Sequence, residues 1–309
     1  MSCKLNRKDF IRAASSLAIF PLVSNDRATL PSRPNQRFRS AHRVLTCNIR
    51  VDLPADAEKG FGWQDRKGIC IKIIAEQQPD VICLQEVLKG QMEDLMAAFP
   101  GFAGVGFDGP EMDAHLTGYH GVAKNPILFS KDRYELVGAG TYWLSETPLR
   151  GGSISWGSAR ARHANYVRLK ERETNKEFRV INLHLDHKSQ EAREEQVKLV
   201  LAEAAQYTAD FPQLLTGDFN ASMANQVYRL VLEQGWRDSY THIHGDTEPG
   251  YTVHLFKGDR YEKKAKGKKI DFIFAKGHVH AVDAEIIRDH VGGQYPSDHY
   301  FVSADVKLK

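Results

Sequence analysis

Residues 180–187, with the sequence VINLHLDH, carry the clearest strand pattern in the chain and decide how the rest is interpreted. Successive side chains of a strand point to opposite faces of a sheet, so one face of this stretch is aliphatic and the other is polar. The aliphatic face holds Ile181, Leu183 and Leu185, and the polar face holds Asn182, His184 and Asp186. A single histidine in such a strand is more often a hydrogen-bonded core residue than a catalyst, so the pattern alone predicts a strand and no chemistry.

Short apolar strands of this kind alternate with helices or long loops from residue 42 onward. Strands are predicted at 43–51, 80–85, 121–130, 134–143, 166–172, 177–185, 213–216, 269–275 and 300–306, and helices at 65–77, 90–99 and 189–208. Residues 173–176 are typical of a hairpin turn. Many strands and few helices predict two packed sheets with helices outside. No linker-like break interrupts residues 42–309, so we expect one α/β domain there.

The composition is that of an ordinary globular protein. Hydrophobic residues make up 42% of the 309 positions and charged residues 26%, which excludes a disordered or collagen-like chain. Residues 1–37 hold seven Lys or Arg and two Asp, so the net charge of +3 belongs to the N-terminus. The charge therefore gives no argument that the body of the protein binds nucleic acid.

The N-terminal segment has the features of an export signal. A basic stretch through Arg12 precedes an apolar run at 13–23 and polar residues at 24–26. The run is too short to span a bilayer, and no integral membrane segment is predicted elsewhere. We expect residues 1–38 to be an export signal and linker, and the protein to be periplasmic or extracellular. The alternative is an N-terminal helix docked on the domain of a cytoplasmic protein.

Further polar residues stand at or near the ends of apolar strands. Each has a structural explanation by itself, because Asp and Asn form local turns and a terminal Glu can be solvated. An acid inside an apolar strand, however, is costly unless it is paired. Together they supply carboxylates for Mg²⁺, amides for phosphate oxygens and histidines beside acids, which suits phosphoester hydrolysis. The set is Asn48, Glu86, His184, Asp218, Asn220, Asp271, Asp298 and His299.

The chain resembles the endonuclease/exonuclease/phosphatase superfamily over about residues 42–308. The resemblance rests on motifs in a fixed order: TCNI at 46–49, QE at 85–86, NLHLDH at 182–187, GDFN at 217–220, IDFI at 270–273 and SDH at 297–299. Residues 140–148 and 187–193 resemble a bacterial, often exported branch related to nocturnin and deadenylase-type enzymes. The resemblance implies a four-layered α/β sandwich, with two mixed sheets face to face and helices outside, as a catalytic domain at 39–309.

The same resemblance implies a metal site and substrate contacts. Glu86 would be the principal Mg²⁺ ligand, with Asn48 and Asp298 nearby and Mn²⁺ as a substitute ion. The absence of a Cys-x-x-Cys pair argues against a structural zinc site. Arg162 and His254 would contact the phosphate or other parts of the substrate.

Roles in the reaction follow from the resemblance as well. Asp218 would align the attacking water, and Asn220 would hold the phosphate. His299, oriented by Asp271, would contact the scissile phosphate. His184 would stabilise the transition state or serve the leaving group.

The expected function is therefore divalent-metal-dependent hydrolysis of a phosphoester by in-line attack of water. The first candidate bond is a phosphodiester of the kind that nucleases and exonucleases cleave, and nucleic acid is one candidate partner. A monomer is expected. Alternatives are a sphingomyelinase-like lipid phosphodiesterase, a sugar or inositol phosphatase, and a non-catalytic phosphate-binding relative. The last would normally have lost Glu86, Asp218 or His299, all of which are present. No exposed aromatic hairpin for membrane entry can be identified in the sequence, which ranks the lipid enzyme lower.

Overall fold

The computed structural model describes residues 40–109, 123–263 and 266–309, whose strands form two mixed sheets. The first sheet contains β1 (His42–Asn48), β2 (Val81–Gln85), β3 (Phe102–Val105), β4 (Ile127–Ser130), β11 (Val279–Ile287) and β12 (Phe301–Leu308). The second contains β5 (Tyr134–Trp143), β6 (His163–Glu171), β7 (Glu177–His184), β8 (Gln213–Asp218), β9 (Arg237–Asp238) and β10 (Asp271–Lys276).

The two sheets share one design. The first runs in the order β11-β12-β1-β2-β4-β3 and the second in the order β5-β6-β7-β8-β10-β9. In each sheet the described strands include one parallel pair near the centre, β1 with β2 and β7 with β8, and the other pairs are antiparallel. The carboxyl ends of these four central strands therefore lie where loops can bring polar side chains together.

The helices of the described residues are α1 (Pro54–Ala57), α2 (Trp63–Glu76), α3 (Lys89–Ala98), α4 (Gln190–Ala204), α5 (Gln226–Glu233) and α6 (Ser239–His244). The helices α2 to α5 cover the outer faces of the sheets, whereas Tyr240 and Ile243 of α6 pack against the cluster between the sheets. Ile73 of α2 packs on the outer face of the first sheet, and Val197 of α4 packs on that of the second. A third apolar cluster, which includes Val44 and Val180, fills the space between the sheets. The predicted four-layered α/β sandwich is confirmed.

Alternation in β7 sorts its side chains between two buried layers. Ile181 and Leu183 join the layer under the outer helices, and Val180 joins the layer between the sheets. Asn182 also faces the other sheet, where its Nδ2 donates to the Leu84 carbonyl (2.8 Å) and its Oδ1 accepts from Gln85 Nε2 (2.7 Å). The polar face predicted for this strand is thus the inner face of the sandwich and not a solvent face.

Several element boundaries differ from the sequence-based expectation. The predicted strand at 121–130 is a strand only from Ile127 to Ser130, and residues 121–122 lie outside the described residues. The helix expected at 65–77 begins at Trp63, whose backbone N–H donates to the Asp52 carboxylate. The strands β3 and β11 and the helix α5 were not predicted. The hairpin of β6 and β7 around residues 173–176 is confirmed.

The predicted export signal and linker, residues 1–38, lies outside the described residues. Among the helices of the described ranges, none has the length and apolar content needed to cross a membrane.

Candidate active site

The polar residues singled out in the sequence converge at one edge of the sandwich. Asn48 ends β1, Glu86 follows β2, and Asp218 ends β8. In the second sheet Asp218 pairs in register with both His184 at the end of β7 and Asp271 at the start of β10. These strands are buried, so the site is built on regular structure, which holds side chains more firmly than loops do.

Asn48 connects the two sheets at this edge. Its Nδ2 donates to Glu86 Oε1 (3.2 Å) and to Asp218 Oδ2 (3.1 Å), while its Oδ1 accepts from the backbone N–H of Arg50 (3.0 Å). The amide oxygen expected to face a metal is therefore turned toward the backbone. In this structure Asn48 holds two carboxylates at a fixed separation.

Glu86 is held in an unusual backbone conformation. Its φ is +64°, a left-handed value that is uncommon outside glycine and that clusters at functional sites. Its Oε2 accepts from the Val51 backbone N–H at 2.9 Å. Burial opposes ionisation, but this hydrogen bond and the charge of His299 outweigh burial and lower the pKa of Glu86. The side chain is a fixed, ionised carboxylate.

His299 and Asp271 form a close pair across the two sheets. His299 Nδ1 lies 3.0 Å from Asp271 Oδ2, and His299 Nε2 lies 3.9 Å from Asp218 Oδ2. Burial would lower the pKa of His299, but the charges of Asp271, Asp298 and Asp218 raise it well above its ordinary value. The imidazolium form of His299 is therefore favoured. Asp271, the acid in the apolar strand β10, has in His299 the partner that a buried carboxylate requires.

Asp218 and His184 have pKa values displaced in opposite directions. Burial and the neighbouring charge of Asp271 raise the pKa of Asp218 to about 7. Burial and the charges of Arg162 and His299 lower the pKa of His184 well below its ordinary value. Their Oδ2 and Nε2 atoms are 3.4 Å apart. A pair of neighbouring groups whose pKa values are displaced in opposite directions is typical of an acid–base site.

The donor set fits a hard divalent cation. The ligand atoms of Asp218, Asp271 and His299 lie within 4.8 Å of one another, and these residues could hold a metal. Glu86 and Asp298 add two carboxylates at the same edge, and burial, offset in part by His299 and Arg50, raises the pKa of Asp298. Oxygen ligands in such number are the preferred environment of Mg²⁺, Mn²⁺ and Ca²⁺. A protonated His299 leaves the carboxylates as the ligands.

Two further predicted residues, Asn220 and Arg162, interact with the groups of the site. The backbone N–H of Asn220 donates to Asp218 Oδ1 (2.8 Å), which places Asn220 at the site. The charge of Arg162 acts on His184, and an Arg162 guanidinium nitrogen lies 3.3 Å from His187 Nδ1.

His254 is an exception among the predicted substrate contacts. Its side chain is fully buried, its Nδ1 accepts from the Gly258 backbone N–H (3.0 Å), and its ring stacks on Tyr300 with centroids 4.1 Å apart. Burial lowers the pKa of the ring to about 3. Its backbone N–H donates to the Asp298 carbonyl at 2.8 Å. The structure places His254 behind Asp298, where its ring supports the wall of the site and is not open to a substrate.

Residues 45–299 match the model of the endonuclease/exonuclease/phosphatase family. The chain belongs to this family. Drosophila melanogaster Nocturnin is 27% identical over 288 residues, which cover 81% of this chain and 43% of the Nocturnin chain, less than half of that relative's length.

Two solved bacterial structures are similar over most of the chain. An endonuclease/exonuclease/phosphatase from Bacteroides vulgatus has a TM-score of 0.78 and 31% identity, covering 88% of this chain and 100% of its own. The mannosyl-6-phosphatase of Bacteroides thetaiotaomicron has a TM-score of 0.76 and 26% identity, covering 86% of this chain and 100% of its own.

Two further residues, which the sequence analysis did not single out, lie at the site. Ser297 Oγ donates to the Asn48 carbonyl (2.6 Å) and accepts from the His299 backbone N–H (3.2 Å), which ties β1 to the segment before β12. Arg50 lies beside Asp298. Ser297 is the first residue of the SDH motif, and this position is the sequence signal that could have indicated it. Nothing in the sequence distinguishes Arg50 from a solvated arginine.

Asp186 has a structural task. Its Oδ1 accepts from the Ala159 backbone N–H (2.9 Å), and its Oδ2 accepts from the N–H groups of Lys188 (2.9 Å) and Ser189 (2.7 Å). These bonds fix the loop between β7 and α4. The carboxylate is fully engaged there and does not face the acids of the site.

Proposed function

We propose that this protein is a divalent-metal-dependent phosphoester hydrolase whose first candidate substrate is a phosphodiester. The observation that supports it best is that Asp218, His299 and Glu86 lie together at one buried edge of the sandwich. Asn48 bridges Glu86 and Asp218, and Asp271 pairs with His299. Family membership supports phosphoester hydrolysis, and the site supplies the acids and bases that such a reaction uses.

The chain's own residues provide the acid–base groups. Asp218 accepts a hydrogen bond from the attacking water and orients it, and its raised pKa makes it a base suited to neutral pH. His299, held by Asp271, donates a hydrogen bond to a phosphoryl oxygen, on which negative charge increases in the transition state. His184 is the uncharged partner that can donate to or accept from the leaving group. A divalent cation at the carboxylates would add positive charge beside the phosphoryl oxygens.

A sugar phosphate is the second candidate substrate. Similarity to the mannosyl-6-phosphatase of Bacteroides thetaiotaomicron over 86% of this chain favours it. The acid–base groups described above serve a phosphomonoester as well as a phosphodiester. The loops around the site decide between the two.

A substrate panel tests the proposal. Single-stranded RNA and DNA, sphingomyelin, mannose 6-phosphate and a bis-aryl phosphodiester are incubated with the protein in Mg²⁺, Mn²⁺ or EDTA. We expect at least one phosphodiester or sugar phosphate to be hydrolysed with metal and not in EDTA, and His299→Ala to lose that activity. Binding of panel members without turnover in any metal would instead support the phosphate-binding relative.

A further inference from the structure

Arg50 follows β1 in a backbone conformation that several contacts enforce. Its φ is +60°, a left-handed value that is strained for a residue other than glycine. Its N–H donates to Asn48 Oδ1 (3.0 Å), and its carbonyl accepts from Arg66 Nη2 (2.6 Å) and from Gln91 Nε2 (2.9 Å). Strain that is held by this many bonds fixes the direction in which the side chain leaves the backbone.

The Arg50 guanidinium is directed into the acids of the site. Its Nε donates to Asp56 Oδ2 at 2.8 Å, and its Nη1 lies 3.4 Å from Asp298 Oδ2. The charge of Glu86 acts on it as well. The Arg50 side chain is 28% exposed, whereas that of Asp298 is 6% exposed. The guanidinium therefore lies at the mouth of the site, with the carboxylates below it.

Arg66 makes this placement rigid. It is a buried residue of α2 whose guanidinium donates to the carbonyls of Ile49 and Arg50 and to that of Pro296 (3.0 Å). These bonds tie the segment that carries Arg50 to the segment that leads into Asp298. They fix the backbone from which the Arg50 side chain leaves relative to the backbone of the Asp298 segment, and the guanidinium then reaches both Asp56 and Asp298.

We propose that Arg50 is a resident cation of the active site, which shares Asp298 and Glu86 with the divalent ion and binds a non-bridging oxygen of the substrate's phosphoryl group. This inference rests on the proposed function. A guanidinium is the side chain best suited to phosphate oxygens, and a fixed positive charge there stabilises the transition state. The same charge repels a divalent ion and competes with it for the carboxylates.

The two roles predict opposite effects when the charge is removed. Arg50→Met leaves Asp298 and Glu86 without this counter-charge, so we expect it to bind Mn²⁺ about fivefold tighter or more. The same variant should bind inorganic phosphate about tenfold weaker and lose about 10²-fold in kcat/KM on the best panel substrate. Damage to the fold of the site would weaken the binding of both ions.

Calorimetric titration separates these outcomes without turnover. MnCl₂ alone, and inorganic phosphate alone in EDTA, are titrated into the wild-type protein, Arg50→Met and Arg50→Lys. Arg168→Met is the matched control, because Arg168 is a paired arginine in the middle of β6, with Glu177 as its partner. The control should bind both ions as the wild type does. Arg50→Lys keeps the charge and should bind Mn²⁺ within about twofold of the wild type, while its kcat/KM falls.

Three results would overturn the inference: Arg50→Met binding both ions like the wild type, Arg50→Met binding both ions more weakly, or no phosphate binding by the wild type. If Arg50→Met does not fold, Arg50→Lys decides, since weakened Mn²⁺ binding by it contradicts a counter-charge role. A protein that hydrolyses nothing in the panel yet shows the opposite ion shifts would refute the proposed function and leave the cation site standing. Turnover of a panel substrate without those shifts in ion binding would refute the cation site and leave the proposed function standing.

Discussion

The pair of His299 and Asp271 shows how a single buried residue can be interpreted from sequence. An acid in the apolar stretch 270–274 requires a partner, and the sequence predicted His299 for that role by resemblance to the family. The Nδ1–Oδ2 distance of 3.0 Å agrees with the prediction. The acid fixes the orientation of the ring and favours its protonated form.

A double-mutant cycle tests the pair. His299→Ala should lower kcat by about 10²-fold or more, and Asp271→Asn should do nearly the same, with little change in substrate affinity. The double variant should be no worse than the more damaged single one, because residues that act as a unit are not additive. Turnover and melting temperature are measured for all four proteins. Additive losses together with a large drop in stability would reject the pair.

At the residue scale, the positions that the sequence did not explain are those whose task depends on three-dimensional neighbours. Arg50 is held in place by a left-handed backbone and by Asp56 on a helix four residues long. Neither feature has a local signature. The resemblance implied a substrate contact for His254, yet its ring is buried against Tyr300, because the backbone N–H groups of His254 and Leu255 bind the Asp298 carbonyl.

At the scale of elements, β8 shows how a strand carries a catalytic residue. Gly217 has a φ of +140°, and a Cβ on it would collide with the Leu183 carbonyl oxygen of the neighbouring β7. Only glycine lets the two strands approach closely enough to set Asp218 beside His184. The sequence-based prediction ended this strand at residue 216, whereas the strand continues through Gly217 to Asp218.

Two glycine substitutions test this interpretation. Gly217→Ala should lower the free energy of unfolding by about 3 kcal/mol or more and reduce activity, because the backbone must shift. Gly68→Ala is the matched control: Gly68 lies inside α2 with nothing near the added Cβ, and there alanine should stabilise by about 1 kcal/mol. Urea unfolding of both variants measures the difference. Wild-type stability in Gly217→Ala would contradict the close approach.

Two elements missed in the sequence, β3 and α5, are short, whereas the missed β11 has nine residues but a register shift between Ala281 and Asp283 that interrupts its alternation. The strand β3 is four residues long and only half-buried, so it has neither a long apolar run nor a clear alternation. The helix α5 has eight residues and buries Val227, Tyr228 and Val231, which is too short a pattern to separate a helix from a loop. Long or strongly alternating segments such as β5 and β7 were predicted closely. Tertiary pairing decides the rest.

At the scale of the whole molecule, burial of neutral histidines makes stability depend on pH. His163 is buried against Trp143, and burial together with the charges of Lys124 and Arg162 lowers its pKa to about 3. The unfolded chain binds a proton at this residue near pH 6.5. The contribution of His163 to stability is therefore fully present above about pH 6.5 and is lost as the pH falls toward 3.

A phenylalanine substitution measures this contribution. Between pH 8 and pH 5 the wild-type protein should lose about 2 kcal/mol of unfolding free energy through His163, from a difference of about 1.5 pH units. His163→Phe keeps a ring beside Trp143 and should lose that much less over the same range. Chemical denaturation of both proteins at the two pH values gives the comparison. An equal loss in both would show that His163 does not titrate as described.

The order of the short motifs allowed the fold and the position of the site to be predicted together. In a sandwich whose central strands end at one edge, residues far apart in sequence meet whenever each follows such a strand. Asn48, Glu86 and Asp218 obey this rule, and His299 reaches the same edge because it precedes β12, which runs antiparallel to β1. What the motifs do not contain is the shape of the loops, and those loops set the substrate.

The central claim is that this edge of the sandwich is a metal-dependent phosphoester hydrolase site. The most direct measurement compares the turnover of the wild type and of Glu86→Gln on the best panel substrate as the Mg²⁺ concentration is raised. We expect EDTA to reduce the wild-type rate to the uncatalysed level and Mg²⁺ to restore it. Glu86→Gln keeps the shape of the side chain but not its charge, so it should need more Mg²⁺ and lose about 10²-fold or more in turnover. Wild-type turnover by Glu86→Gln at the same Mg²⁺ concentration, or full wild-type activity in EDTA, would contradict the claim.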